Sequence, residues 1–106
     1  MRDIKKKDSL AEIVSPYLDI GPVLAAALVS TDGLLVAAAG GGVDLEALAA
    51  HSASALAATS ALAAELGGPP RLLSLETGNR GLILAPLTKD VFLALAGKRS
   101  IMSLAR

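Results

Sequence analysis

Cysteine and tryptophan are both absent from the 106-residue chain, and histidine, tyrosine and phenylalanine occur once each. Without cysteine the protein has no disulfide, no thiolate nucleophile and no Cys-ligated metal, which fits a reducing compartment. Because 53% of the residues are hydrophobic and only 2% aromatic, the core must be assembled from leucine, valine and an unusual amount of alanine. The length predicts a single domain over residues 1–106.

An excess of charge of either sign is also missing, since ten basic and ten acidic residues balance. The chain therefore lacks the broad positive field on which nucleic-acid binding depends. Its one basic cluster, Lys5 to Lys7, is flanked by acidic residues, and we interpret residues 1–8 as a flexible, solvated segment. No apolar run of the kind that a signal peptide needs follows it. We expect a cytoplasmic protein with no nucleic-acid partner.

The longest uncharged stretch lies between Glu46 and Glu65. A membrane-spanning helix needs about 20 predominantly apolar residues. Here the large apolar side chains are three leucines, diluted by alanine, hydroxyl residues and His51. We expect no membrane insertion.

Motifs for catalysis and metal binding are few. His51 has no second histidine or cysteine with which to bind zinc, and the carboxylates are scattered singly, so no acid–base pair suggests itself. The glycines at 40–42 are not followed by the Gly-Lys-Ser/Thr of a Walker A loop, and we interpret them as a flexible corner. We expect no enzymatic activity, no cofactor and no metal.

Local signals predict the order of the elements. They give a short helix from Ser9 to Leu18, strands from Val23 to Val29 and from Leu34 to Ala38, a long helix from an Asp44 cap to Leu66, strands from Leu72 to Glu76, Leu82 to Leu87 and Val91 to Ala96, and a short helical tail. This order predicts an α/β (α+β) fold, in which a five-stranded, mostly antiparallel sheet is sandwiched between one long helix and short terminal helices.

The long helix predicts how the chain assembles. Its leucine side, with Leu45, Leu48, Leu56, Leu62 and Leu66, is predicted to pack on the sheet. The opposite side carries an alanine stripe of Ala50, Ala53, Ala57, Ala61 and Ala64. Small side chains let a second helix approach closely, so we predict an antiparallel homodimer through this stripe. The alternative, that alanine reflects helix propensity alone, stays open.

Arg80 lies at a predicted hairpin tip, from which an arginine can reach a partner's phosphate in the manner of an arginine finger. A solvated turn residue is the alternative interpretation, because a lone arginine carries no motif. Arg80 is therefore a candidate partner contact and not an assigned catalytic residue.

Three stretches carry a family resemblance. They are Ala27 to Ala37 with its Val-Ser-Thr-Asp-Gly hairpin, the helix start with Asp44, Leu45, Glu46 and Leu48, and Arg80 to Leu87. Together they resemble the roadblock / dynein light-chain family, in particular its bacterial MglB-like members, from about Ser9 to Gly97. The resemblance implies a profilin-like sandwich that dimerises through the long helix and an edge strand, here Leu72 to Glu76, with Leu73 and Leu75 at the interface.

The resemblance also implies a function. Bacterial members of the family are regulators or scaffolds of small Ras-like GTPases, and some accelerate hydrolysis by rearranging the GTPase's own residues. We therefore expect a non-enzymatic homodimeric regulator or scaffold of a small Ras-like GTPase. The alternative is a purely structural dimeric assembly module with no nucleotide-dependent partner. A small-molecule sensor would need a cavity that an alanine-rich core is not expected to leave.

Overall fold

The computed structural model describes residues 11–105, and their elements follow the predicted order. Residues 11–14 form a helical turn that continues into a 3-10 helix (Ser15–Asp19), and then come β1 (Val23–Ser30), β2 (Leu35–Gly40), the long helix (Leu45–Glu65), β3 (Leu73–Glu76), β4 (Arg80–Pro86), β5 (Val91–Lys98) and a second 3-10 helix (Arg99–Ala105). Every predicted strand and the long helix are present, with ends shifted by one or two residues. The predicted helix start at Ser9 and the basic segment 1–8 lie outside the described residues.

The five strands form one sheet in the order β2-β1-β5-β4-β3, and every neighbouring pair is antiparallel. The two strands furthest apart in the chain, β1 and β5, therefore pair at the centre, with Ala27 opposite Ala94 and Leu28 opposite Leu93. The short strand β3 lies at one edge. Its outer backbone groups form no ladder within the described sheet and can pair with another strand.

Both faces of the sheet are covered, as the apolar strands predict. Successive side chains of a strand point to opposite faces. On one face Ala27, Val29, Leu84, Phe92 and Ala94 pack with Ala49, Ala53 and Leu56 of the long helix. On the other face Val23, Ala26, Leu28, Leu93 and Leu95 pack with Val14 and with Ile101 of the second 3-10 helix. The predicted α/β sandwich is confirmed.

The corner before the long helix depends on a glycine and on an N-cap. Gly40 has a φ of 88°, and a Cβ at this position would overlap the carbonyl oxygen of Leu24. The Asp44 carboxylate then accepts a hydrogen bond of 3.1 Å from the backbone N–H of Ala47, which satisfies one of the free donors of the first turn. The glycine run is thus a structural corner, and Asp44 is the predicted cap.

The side of the long helix that packs on the sheet differs from the prediction in part. Its buried residues are Ala49, Ser52, Ala53 and Leu56. Ala53 is only 8% exposed, so its predicted place on an outward-facing stripe is wrong. Leu62 and Leu66 are 65% and 85% exposed, so the prediction that they pack on the sheet is also wrong. The cause is direction around the helix axis: at about 100° per residue, Leu62 and Leu66 lie on a flank of the helix, away from the side that holds Ala49, Ala53 and Leu56.

By length and composition alone the long helix meets the usual criteria for a membrane span, with 21 residues and a mean hydropathy of 1.3. It is therefore more apolar than its few leucines led us to expect. Its buried residues form one layer of the sandwich on the central strands. Only 22% of the apolar stretch is buried, so packing on the sheet accounts for part of its apolar character and the rest is exposed.

Candidate protein-interaction surface

Four exposed leucines lie where the long helix and β3 face each other. We call them the leucine strip: Leu62, Leu66, Leu72 and Leu75, which are 65%, 85%, 41% and 58% exposed. On the helix the strip is continued by Thr59, Ala55 and Leu48, which precede Leu62 by three, seven and fourteen residues and so share one flank. Exposed apolar patches of this kind mark protein–protein contact sites.

Two depressions run along this flank. A groove of about 440 Å³ separates the end of the helix from the start of β3, and it is lined by Thr59, Leu62, Leu66, Pro69, Pro70 and Leu72. A smaller hollow of about 180 Å³, which we call the edge pocket, lies near the start of the helix and is lined by Val43, Leu48, Leu75, Arg80, Leu82 and Ala96. The flank thus presents protruding leucines at one end and an apolar hollow at the other.

Arg80 borders the edge pocket instead of projecting from a hairpin tip. It is the first residue of β4, and its backbone N–H donates to Thr77 Oγ1 at 3.1 Å while its carbonyl accepts from the Thr77 N–H at 2.9 Å. Its guanidinium extends along the helix side of the sheet, with Nη1 3.6 Å from the position of a Cβ on Gly42. Among residues 11–105 the one ion pair joins Arg99 to Glu76, so Arg80 has no acidic partner within this part of the chain.

The alanine stripe lies on the opposite flank of the helix. Ala50, Ala57, Ala61 and Ala64 are exposed, and Ala57 lines a separate cleft of about 450 Å³ toward the β4–β5 turn, together with Leu56, Ser60, Pro69, Pro86 and Leu87. Of the two predicted interface residues in β3, Leu73 is half-buried and Leu75 is 58% exposed. The structure therefore brings Leu75 to the leucine strip and leaves the exposed alanines on another surface.

The remaining candidates for chemistry stay apart from one another. His51 is exposed on the long helix, and within residues 11–105 no three His, Asp or Glu side chains group as metal ligands. Ser52 is 3% exposed, and its hydroxyl has no hydrogen-bond partner among the described residues. The prominent features of this part of the chain are therefore its contact surfaces.

Comparisons with solved structures show the fold at low sequence identity. An MglB structure with a tetrameric arrangement has a TM-score of 0.81 at 23% identity, covering 89% of this chain and 74% of that one. MglB from Myxococcus xanthus has a TM-score of 0.67 at 23% identity, covering 74% of this chain and 61% of that one. Profilin II from Acanthamoeba castellanii has a TM-score of 0.54 at 21% identity, covering 78% and 74%.

The chain thus covers 61% of the length of the Myxococcus protein, and the likeness to profilin confirms the predicted profilin-like sandwich. No curated protein gives a significant match to the sequence. The model of the Roadblock/LC7 domain matches residues 10–96, which include the long helix and all but the last two residues of the sheet. The protein belongs to the Roadblock/LC7 family.

Proposed function

We propose that this protein is a non-enzymatic, cytoplasmic homodimer that regulates or scaffolds a small Ras-like GTPase. The observation that carries the proposal is the Roadblock/LC7 match over residues 10–96, together with the fold shared with MglB. This family and its MglB-like members are regulatory rather than catalytic. A regulatory role also fits residues 11–105, whose prominent features are contact surfaces.

For the homodimer we propose the leucine strip and the edge of β3 as the interface. Leu62 and Leu66 expose most of their side chains, and burying a leucine gains about 1.5–3 kcal/mol. Exposed alanines of the alanine stripe gain less, because each has only one methyl group to bury. The tetrameric arrangement of the MglB structure supports assembly of copies of this fold.

Acceleration of GTP hydrolysis by such a dimer would act on the GTPase's own groups. A Ras-like GTPase already carries a residue that orients the attacking water. To hold that residue in place, the regulator needs a firm contact surface but no catalytic group of its own. This is the mode of action that the family resemblance implies.

Binding of purified protein to the host's Ras-like GTPases, loaded with GDP or with a non-hydrolysable GTP analogue, tests the proposal. Calorimetry gives the affinity, and phosphate release gives the hydrolysis rate. Tighter binding of one nucleotide state supports a regulator, and equal binding of both states supports a scaffold. Binding of neither state would contradict both roles and would favour a structural assembly module instead.

A further inference from the structure

The edge strand β2 lies on the far side of the sheet from the proposed dimer interface, since β2 and β3 occupy opposite edges. Proteins normally protect an open edge with charged residues, with proline or with a bulge. The sequence of β2 is LVAAAG, which contains neither a charge nor a proline. Its bulge lies at the start of the strand, where the register with β1 shifts beside Leu28 and Val29. The second half of β2 is therefore a regular and unprotected edge.

The free backbone groups of this edge follow from the pairing of β2 with β1. The N–H of Gly41 donates to the carbonyl oxygen of Leu24 at 3.1 Å, so the backbone of Gly41 faces β1. Successive residues of an antiparallel strand alternate in this direction, and Ala38 and Gly40 therefore face away from the sheet. Within residues 11–105 no strand or loop pairs with them on that side. Two N–H groups and two carbonyl groups are thus open to another strand.

The side chains of this edge favour an identical strand over a foreign peptide. When a peptide adds to a sheet edge, backbone hydrogen bonds give affinity and side-chain pockets give specificity. None of the three depressions described above is lined by a residue of β2, so this edge has little with which to select a foreign sequence. A second copy needs no such pocket, because small uncharged side chains can meet their own counterparts across a two-fold axis without repulsion.

A two-fold axis at Ala39 uses all four of the open backbone groups. It places Ala38 of each copy opposite Gly40 of the other, and each of these two pairs exchanges two hydrogen bonds. Ala39 then faces Ala39 of the other copy in a non-hydrogen-bonded pair, where the Cα atoms are only about 4.5 Å apart. Alanine is small enough for this close approach, and glycine at position 40 leaves room for the methyl group of Ala38.

We infer that β2 pairs in antiparallel fashion with β2 of a second copy, and that this contact joins the proposed homodimers into larger assemblies. It is separate from the leucine strip and from β3, and it does not depend on them. Each homodimer presents two β2 edges, one from each protomer. Because the two kinds of contact lie at opposite edges of the sheet, the assembly grows in steps of one homodimer.

Sedimentation velocity over a range of protein concentrations tests this second contact. Ala39→Lys places two like charges face to face at the two-fold axis, and lysine is a residue that natural edge strands use against pairing. We expect species larger than a dimer in the wild type at high concentration. In Ala39→Lys they should need a concentration about tenfold higher, while the dimer remains. The control is Ala57→Lys, which adds the same charge to the exposed alanine stripe and should assemble like the wild type.

Hydrogen exchange in the wild type gives a check that needs no variant to fold. The amide protons of Ala38 and Gly40 should exchange about tenfold more slowly at high than at low protein concentration. The amide proton of Gly41 is bonded within the sheet at every concentration, and its exchange should not change. Equal behaviour of all three amide protons would contradict the inference.

The outcomes separate this contact from the proposed homodimer. A wild-type chain that never exceeds a dimer, with Ala39→Lys also dimeric, overturns the β2 contact and leaves the homodimer intact. Larger species that Ala39→Lys does not weaken overturn it as well. If the wild type reaches only a dimer and Ala39→Lys is monomeric, the β2 contact stands and the interface proposed for the homodimer is wrong.

Discussion

The two halves of the long helix have the same alanine-rich composition but different surroundings. All of its fully buried residues lie between Ala49 and Leu56, where they pack on β1, β4 and β5 through small side chains. Past that point the large side chains are exposed, most of all Leu62 and Leu66. The first half holds the fold together, and the second half presents apolar surface.

This division shows why hydrophobicity alone does not assign a helix face. An alanine on the side that faces the sheet is buried because it lies close to the strands, whereas Leu62 and Leu66 are exposed because they lie on a flank that nothing within the described chain covers. Exposed apolar surface carries a free-energy cost of about 25 cal/mol per Å² relative to burial. The exposed apolar surface on the second half of the helix therefore indicates a binding partner, and the second copy in the proposed homodimer supplies one.

Replacing Leu56 by alanine tests the first half of the helix, and we expect the largest effect here. Leu56 is 6% exposed and packs in the helix-side core, so the change leaves a cavity and lowers the free energy of unfolding by about 3 kcal/mol. Chemical denaturation should show this loss at every protein concentration.

The matched control is Leu62→Ala, the same substitution six residues further along the helix. Because Leu62 is 65% exposed, its stability loss should appear only at concentrations where the wild type is dimeric, since dimerisation adds stability by mass action. Equal and concentration-independent losses for both variants would show that the two halves do not differ.

A second pair of variants compares the two flanks of the helix. Leu62→Arg places a charge in the leucine strip, and we expect it to raise the dimer dissociation constant about hundredfold. Ala57→Arg places the same charge on the alanine stripe, and we expect it to keep the dimer mass. Light scattering over a range of concentrations measures both. A monomeric Ala57→Arg variant beside a dimeric Leu62→Arg variant would assign the interface to the alanine stripe instead.

Much of the fold could be predicted from local signals. The order of the elements and their ends, the antiparallel sandwich and the Asp44 cap follow from apolar runs, glycine and proline positions and a capping residue, each of which acts within a few residues. The family could be recognised from the Val-Ser-Thr-Asp-Gly hairpin and its neighbours. These features need no knowledge of which elements meet in space.

The surface of the candidate site could not be predicted in the same way. A helical wheel orders the side chains around the helix axis but does not show which direction faces the sheet. Ala53 was misplaced for the same reason, because its small side chain on the wheel resembled that of its exposed neighbours.

The smallest expected effect concerns Ser52, which lies in the buried half of the helix. Its side chain is 3% exposed and its hydroxyl has no hydrogen-bond partner among the described residues. An unsatisfied buried hydroxyl costs about 1–3 kcal/mol, and removing it leaves a cavity of only one oxygen atom. We expect Ser52→Ala to raise the free energy of unfolding by about 1 kcal/mol in chemical denaturation.

The control is Ser54→Ala, where the exposed hydroxyl donates to the carbonyl oxygen of Ala50 and the change should be close to zero. A clear loss of stability in Ser52→Ala would show that this hydroxyl is satisfied, and that the packed half of the helix holds a polar contact as well as apolar ones.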